Sequence, residues 1–466
     1  MLRLWNTATR SLEEFKPIKK GKVGMYACGP TVYNPLTIGN LRTYIFEDVL
    51  HRTLELLGYN VRHVMNVTDV GHLVGDGDMG EDKVEMAAAK AGKSAWDIAN
   101  MYEEMFVKDF ERVNIRVPSG KDRPHATDYI QEQIDLVKAL EKKGFTYRTS
   151  DGIYFDTSKF KEYGKLSGQK LEEKEAGARV EVNEEKYHPA DFALWKFSPE
   201  GEKRQMEWRS PWGVGFPGWH VECSAMSEKL LGQPFDIHCG GVDHISVHHE
   251  NEIAQSEAAF GKPLANYWLH GEFLLVDGKR MGKSEGNAYT LDELIAKGFD
   301  PLAFRYYCLG THYRSKMNFT WEGLEGAQNA LRKLYGVARG LDVGAQFIAP
   351  KGVMNHAPTE FVEALEDDLN TPKALATVWD MLKSGSTEEE KGAMLAQVDR
   401  VLGLGLDEVI GRPLDIPGEV KALAEERLVA RQNKDWKRSD ELRGAIREKG
   451  WIVEDTKDGY ELTPEA

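Results

Sequence analysis

The chain has 466 residues, 41% of them hydrophobic and 29% charged, with a formal net charge of −15. That length exceeds what one hydrophobic core ordinarily serves, so about two to four domains are expected. The acidic balance excludes a protein that coats nucleic acid, because phosphate neutralisation needs clustered Lys and Arg, but it leaves room for a local basic face. The N-terminal stretch MLRLWNTATRSLEEFKPIKK lacks the apolar core of a secretory signal, and no apolar run reaches membrane-spanning length. Cys28, Cys223, Cys239 and Cys308 are too few for a disulfide framework, so a reducing cytoplasm is the expected location.

Residues 23–27 read as a buried strand that ends at Cys28 and turns at Gly29-Pro30. A lone cysteine in that position is either ordinary core packing or a metal or catalytic residue. TIGN, residues 37–40, then opens a helix in which Leu41, Ile45, Val49, Leu54 and Leu57 recur at helical spacing before Gly58. VRHVMNVTD reads as a second strand. Strand, helix and strand in this order imply a parallel sheet with a right-handed crossover. Such sheets bind ligands at the carboxyl ends of their strands, where Cys28 and Thr68-Asp69 fall. GHLVGDGDMGED, residues 71–82, fits neither an EF-hand nor a GxGxxG fingerprint and reads as a flexible loop beside the site. The stretch from about 118 to 208 mixes charged helix, short strands and a polar segment, and looks like an insertion. A second α/β stretch covers about 210–313, followed by helix-rich sequence broken at 340–358 and 403–418.

The second α/β stretch carries GWHVECSAMS and FDIHCGGVDHISVHHENEIAQSE. Residues 247–257 read as a helix that stacks His248 and Glu252 on one face, one turn apart. Cys223, read as the end of a β-like run, and Cys28 complete a set of thiolate, imidazole and carboxylate donors of the kind zinc takes. Spacing alone does not decide the set. His244 and His249 compete for it, and unrelated core thiols beside a hydrogen-bonded histidine are the plain alternative. GEFLLVDGKRMGKSEGNAYT reads as a strand, a Gly-rich loop with Lys279, Arg280, Lys283 and Ser284, and a helix opening near residues 290–292. A cationic loop of this kind suits polyphosphate, and so does the helix N-terminus after TIGN; a solvated hairpin is the alternative. Between Arg431 and Lys449, seven basic residues face four acidic ones, which makes either a salt-bridged helix face or an RNA-facing one.

Several of these stretches fall into one pattern. Asn6-Thr7 and Phe15-Lys16-Pro17 precede MYACGPTVYN, which leads into a HIGH-type signature at 37–40, and RMGKS (280–284) stands where KMSKS belongs. PGWHVECSAMS, HHENEIAQSEA, THYRSKMNFTWEGL, LEDDLNTPKAL and KDWKRSDELRGAIREKGWIVEDTKDG follow in order. Together they resemble, nearly end to end, the cysteinyl-tRNA synthetase family of class I aminoacyl-tRNA synthetases. The resemblance implies an α/β fold: a Rossmann-like parallel-sheet catalytic domain with a connective insertion, followed by a helical tRNA-binding C-terminal region. The corresponding divisions are 1–117 and 209–313 for the catalytic halves, 118–208 for the insertion, 314–345 for a stem-contact segment and 346–466 for the anticodon-binding region.

It also implies an activity, the ATP-dependent ligation of L-cysteine to cysteine tRNA through a cysteinyl-adenylate, and a cytoplasmic monomer with no membrane association. In the family one Zn2+ is held by residues matching Cys28, Cys223, His248 and Glu252, and it takes the substrate thiolate as a further ligand. Serine's hydroxyl is a harder, poorer ligand, so no editing domain is required. Mg2+ accompanies ATP. The resemblance gives Thr37, Asn40, Arg280 and Lys283 catalytic roles, Gly39, Asp243, Lys283 and Ser284 the nucleotide, and Thr68 and Trp219 the cysteine pocket. The chain departs from the family at Thr37, where histidine is usual, at Asn40, and at Arg280 and Gly282 in the second signature. Two rival readings follow: a cysteine ligase acting on an amino-sugar, which needs no RNA-binding region, and a catalytically weak tRNA-binding relative.

Overall fold

Four buried runs make the central sheet of the computed structural model, which describes residues 1–71, 73, 82–169, 183–199, 201, 204–282, 285–343, 357–456 and 459–464. They are β1 (Lys22–Ala27), β2 (Asn60–Met65), β3 (Phe235–Gly241) and β4 (Ala265–Gly271), all parallel, in the order β4-β3-β1-β2. Every residue of β3 is buried, as a parallel strand covered on both faces requires. β1 has β2 on one side and β3 on the other, so the strand order reverses between β1 and β3. A crevice for ligand opens at their carboxyl ends.

α1 (Ile38–Leu56) is the crossover from β1 to β2. Its first turn is closed by a capping box. The Thr37 hydroxyl accepts the Asn40 N–H, and the Asn40 side chain accepts the Thr37 N–H at 3.0 Å. The two positions that depart from the family's first signature therefore pair with each other. α2 (Trp219–Leu231) and α3 (His248–Phe260) flank β3 in sequence.

Among the described residues between β2 and α2 lie three α-helices (Lys83–Ala91, Ala95–Arg112, Ile130–Lys142) and a five-stranded antiparallel sheet. That sheet runs past residue 208 to Pro217, because Gly213–Pro217 pairs with Phe192–Phe197. Its apolar face shares a core with Val221 and Ala225 of α2 and Ala254 and Ala258 of α3, which seats the insertion on the helices of the site. The polar segment 170–182, most of the glycine-rich loop at 71–82, and Lys283 with Ser284 lie outside the described residues.

After β4 the chain forms a small sheet from Leu274–Val276, Lys279–Arg280 and Met317–Phe319. Helices Pro301–Leu309, Trp321–Arg339, Thr359–Glu366, Thr371–Lys383 and Glu388–Leu402 follow, then Gly418–Gln432 and Trp436–Glu448. The chain closes on an antiparallel hairpin, Trp451–Thr456 with Gly459–Pro464, which a purely helical reading of this region does not contain. No helix among the described residues is long and apolar enough to cross a membrane.

A buried ionic knot holds the helical region to α1. Arg305, fully buried, donates to Asp48 Oδ2 at 2.6 Å and to the carbonyls of Leu402, Val113 and Asn114. Arg52 donates to the same Asp48 oxygen at 2.7 Å and to Arg400 O at 3.2 Å, while the Arg116 N–H reaches Asp48 Oδ1. Burial pushes Asp48 up, but Arg305 and Arg52 outweigh it and hold the carboxyl below the ordinary range. The helix carrying Leu402 turns off at Gly403, with φ +64°, where a Cβ would stand 2.8 Å from the Arg305 guanidinium.

Candidate functional site

The crevice at the β1/β3 switch point is a cleft of about 330 Å³. Its wall brings together Cys28, Thr37, Asn40, Thr68, Trp219, Cys223, Asp243, His244 and His248, residues spread over more than two hundred positions of sequence. Cys28 follows β1. Cys223 does not end a strand: it lies on the second turn of α2, one turn after Trp219, so the two share a helix face. The strand signal ahead of it belongs to Gly213–Pro217 and stops there.

His248 opens α3 and Glu252 follows one turn later, with His248 Nε2 3.0 Å from Glu252 Oε1. Cys28 Sγ is 3.7 Å from the same oxygen. One donor atom from each of Cys28, Cys223, His248 and Glu252 lies within 4.8 Å of every other, and all four residues are buried. Tetrahedral coordination with Zn–S near 2.3 Å and Zn–N near 2.0 Å puts donors about 3.3–3.8 Å apart, so a small contraction closes this set on one ion. The rival His249 belongs to a second group of the same reach, Cys28, His238, His249 and Glu252, whereas His244 lines the cleft and enters neither group.

The charges of the set are those of a cation site. A hydrogen bond from Cys28 holds Cys223 down at about 6 against its own burial, while burial pushes the Cys28 thiol up. Burial pulls His248 down, but Glu252 and Cys223 outweigh it and hold the imidazole up at about 10. Burial likewise raises Glu252, and His238 with His248 outweighs it, leaving a carboxylate. A thiolate and a carboxylate thus share one protonated imidazole, a donor set that could hold a metal ion in place of that proton. The outer residues orient the donors: His238 Nε2 sits 3.1 Å from Glu252 Oε2, and His220 Nδ1 lies 3.0 Å from His248 Nδ1. The Trp219 indole stacks on the His248 ring at 4.4 Å.

On the cleft wall, the exposed Asp243 folds back over the end of β3, where a Cβ on Gly241 would meet its Oδ1 at 2.3 Å. Gly39, on the first turn of α1, faces Met281 of the RMGKS loop, whose sulfur would be 3.3 Å from a Cβ there. Ile38 N donates to Tyr289 O at 2.8 Å, joining the far side of that loop to the same helix end. Asn287 closes the stem, accepting the Gly282 N–H and donating to Arg280 O. Arg280 itself is exposed on the short strand before the loop.

Three family models match the chain: the tRNA synthetases class I (C) catalytic domain over residues 14–329, the DALR domain over 360–407 and the cysteinyl-tRNA ligase anticodon binding domain over 414–461. The chain belongs to the cysteine–tRNA ligase family. Cysteine–tRNA ligase 1 of Burkholderia lata is 51% identical, covering 99% of this chain and 96% of its own. The cysteine–tRNA ligases of Treponema denticola and Thermus thermophilus are 44% and 42% identical, with coverage of 97% or more on both sides. Among solved structures, Mycobacterium tuberculosis methionyl-tRNA synthetase with methionyl-adenylate aligns at a TM-score of 0.52 and 16% identity, covering 83% of this chain and 91% of that one. The leucyl enzyme of Agrobacterium radiobacter in its LeuRS-tRNA-LeuAMS complex aligns at 0.56 and 13%, covering 87% and 88%. At such identities the likeness is one of fold, that of the class I synthetases to which the cysteine–tRNA ligase family belongs.

The sequence does not single out His220, His238 or Asn66 of this site. None of the three carries a local spacing signal that separates it from a hydrogen-bonded core residue.

Proposed function

We propose that this chain ligates L-cysteine to cysteine tRNA, in two steps on one cleft. ATP and cysteine form cysteinyl-adenylate and pyrophosphate, and the cysteinyl group then passes to the terminal adenosine of the tRNA with release of AMP. The observation that carries the reading is the buried set of Cys28, Cys223, His248 and Glu252 at the switch point of a class I sheet.

These four residues fit Zn2+, in donor chemistry and in spacing. When bound, the ion supplies a soft site for the substrate thiolate, which a serine hydroxyl fills poorly. The chain's own residues do the rest. Trp219 and Thr68 border the amino acid, and the backbone amides at the start of α1 face phosphate. Thr37 and Asn40 act here through the capping box that presents those amides. Asp243 and Gly39 line the nucleotide end; Arg280, Lys283 and Ser284 neutralise charge developing on the leaving pyrophosphate, with Mg2+ accompanying ATP. The carboxylate attacks phosphorus directly, so positioning and charge stabilisation supply the catalysis. Residues 314–345 meet the tRNA stem and the region from 346 onward reads the anticodon. The enzyme works in the cytoplasm as a monomer.

The amino-sugar alternative is not favoured, because that acceptor has no use for an anticodon-binding domain, and retention of the full donor set argues against a non-catalytic relative. Cysteine-dependent ATP–pyrophosphate exchange, followed by charging of cysteine tRNA, is the test. Exchange with cysteine far above serine, and charging of that tRNA, is the expected result. Exchange without charging, or charging with serine as readily, overturns the reading.

A further inference from the structure

Asn66, the residue after β2, is fully buried yet reaches the cleft wall. Its Oδ1 accepts the Gly29 N–H at 3.0 Å, in the turn that carries Cys28, and lies 3.6 Å from Cys223 Sγ on α2. Its Nδ2 donates to Thr68 Oγ1 at 3.0 Å. The partners settle the amide's orientation: a backbone N–H only donates, so the oxygen faces Gly29 and the nitrogen faces Thr68.

The backbone around it is equally tight. A Cβ on Gly29 would stand 1.6 Å from Asn66 O, so only glycine admits this approach. Thr68 N donates to Pro30 O, and Val32 N donates to Thr68 O, each at 3.1 Å. The turn after β1 and the strand end after β2 thus form one unit, and the Asn66 amide carries it across to α2. Because Nδ2–H donates to Thr68 Oγ1, the Thr68 hydroxyl is free to send its own proton only to another acceptor.

Soft sulfur ligation separates cysteine from serine, but homocysteine offers the same thiolate on a side chain one methylene longer. What tells these two apart is the distance between the place that holds sulfur and the place that holds the amino acid's backbone end. A methylene is worth about 10- to 200-fold in a fitted pocket, and only if both ends are held to within about 0.5 Å. We propose that Asn66 is the positioning residue that sets this span, tying Cys28 and Cys223 to Thr68, and that it makes the site select an amino acid of cysteine's length over homocysteine. The proposal rests on the function given above.

The test is exchange kinetics with cysteine and homocysteine for the full chain and for Asn66→Asp and Asn66→Ser. Zinc per chain, KM for ATP and a thermal melt are measured beside them. Asn66→Asp keeps the acceptor for Gly29 but turns an acceptor toward Thr68; Asn66→Ser withdraws the amide without adding charge. The expected result is a cysteine-to-homocysteine ratio of kcat/KM reduced about tenfold or more in both, with metal content and KM for ATP within about twofold of the parent. Thr68→Val should reproduce the loss, and adding it to Asn66→Ser should cost no more than either alone. An unchanged ratio in both variants overturns the proposal, and so does loss of zinc, which would make Asn66 a support of the ligands alone. A parent chain without cysteine-dependent exchange overturns the functional reading itself, a result visible before any variant is made.

Discussion

Asp48→Asn perturbs the ionic knot with almost no change of shape. It removes the one carboxylate that Arg305 and Arg52 share and leaves both guanidiniums buried. Breaking a buried pair from one side costs about 3–5 kcal/mol, and with two cations stranded the upper part of that range applies. At about 2.1 cal/mol/K per residue, unfolding of 466 residues carries an entropy of about 1 kcal/mol/K, so the melting temperature should fall by about 4–5 °C. The fall is larger if the helical region melts alone, because the same free energy is divided by a smaller entropy. Acid gives a second readout. The folded pKa of Asp48 lies below its unfolded value, so its contribution is complete above about pH 5 and is lost as the pH falls through the folded value. The variant has no such contribution to lose, and the gap between the two melting curves should narrow below about pH 4, by at most about 1.4 kcal/mol per pH unit. Differential scanning calorimetry from pH 7 to pH 3 makes both measurements. A shift under about 1 °C at pH 7, or a gap that stays constant into acid, would refute the argument.

Cys28→Ser should lower zinc per chain, measured by elemental analysis, and flatten the preference for cysteine over serine, while the melt barely moves, because the parallel-sheet core forms without the ion. A zinc-free parent that still prefers cysteine would contradict this. Thr37→His with Asn40→His removes the capping box, so stability should drop by about 1 kcal/mol in a urea titration. Exchange rates should change less than about tenfold, since the amides of α1 remain; a several-hundredfold gain would show that the parent is impaired at its first signature. Replacing the exposed Lys434 and Lys437 with Ala should weaken tRNA binding and lower its salt slope by about two, with tRNA-independent exchange unaffected. Equal losses in both assays would mean misfolding.

How far the sequence carries depends on the range of the interaction. The strand–helix–strand unit from Lys22 to Met65 is legible because its signals are local: a buried run, a 3.6-residue period and a glycine stop. The i,i+4 pair His248 and Glu252 is legible for the same reason. Cys223 is misread because the Gly- and aromatic-rich stretch before it is a real strand, and only tertiary packing ends that strand at Pro217. The terminal hairpin escapes for another reason: WIVEDT follows a stop at Gly450 and carries strand-favouring Trp, Ile, Val and Thr, but the resemblance presents the whole region as helical. The basic stretch is split by the structure, for Arg431 and Arg443 turn to Asp455 and Arg438 to Glu426 and Glu441, leaving Lys434 and Lys437 as exposed cations. Asn66 and His238 are beyond sequence reasoning altogether. Their partners come from elements that meet only through strand order, and nothing in NVTD or FDIHCGG names those partners.

The donor set also says something about the order in which the molecule is made. One donor of the set, Cys28, leaves the ribosome with the first strand, and the next, Cys223, comes 195 residues later with the whole insertion between them. At about 5–20 residues per second, a nascent chain carries an unmatched thiol for some 10–40 s before α2 and α3 exist to meet it. During that interval β1 and β2 can already pair, but the sheet lacks β3, and the cleft lacks a wall. The assembly of the four donors is therefore a late event by construction. It is a clasp that shuts once both halves of the sheet and the module threaded between them are in place, and it marks a chain whose catalytic unit has been completed.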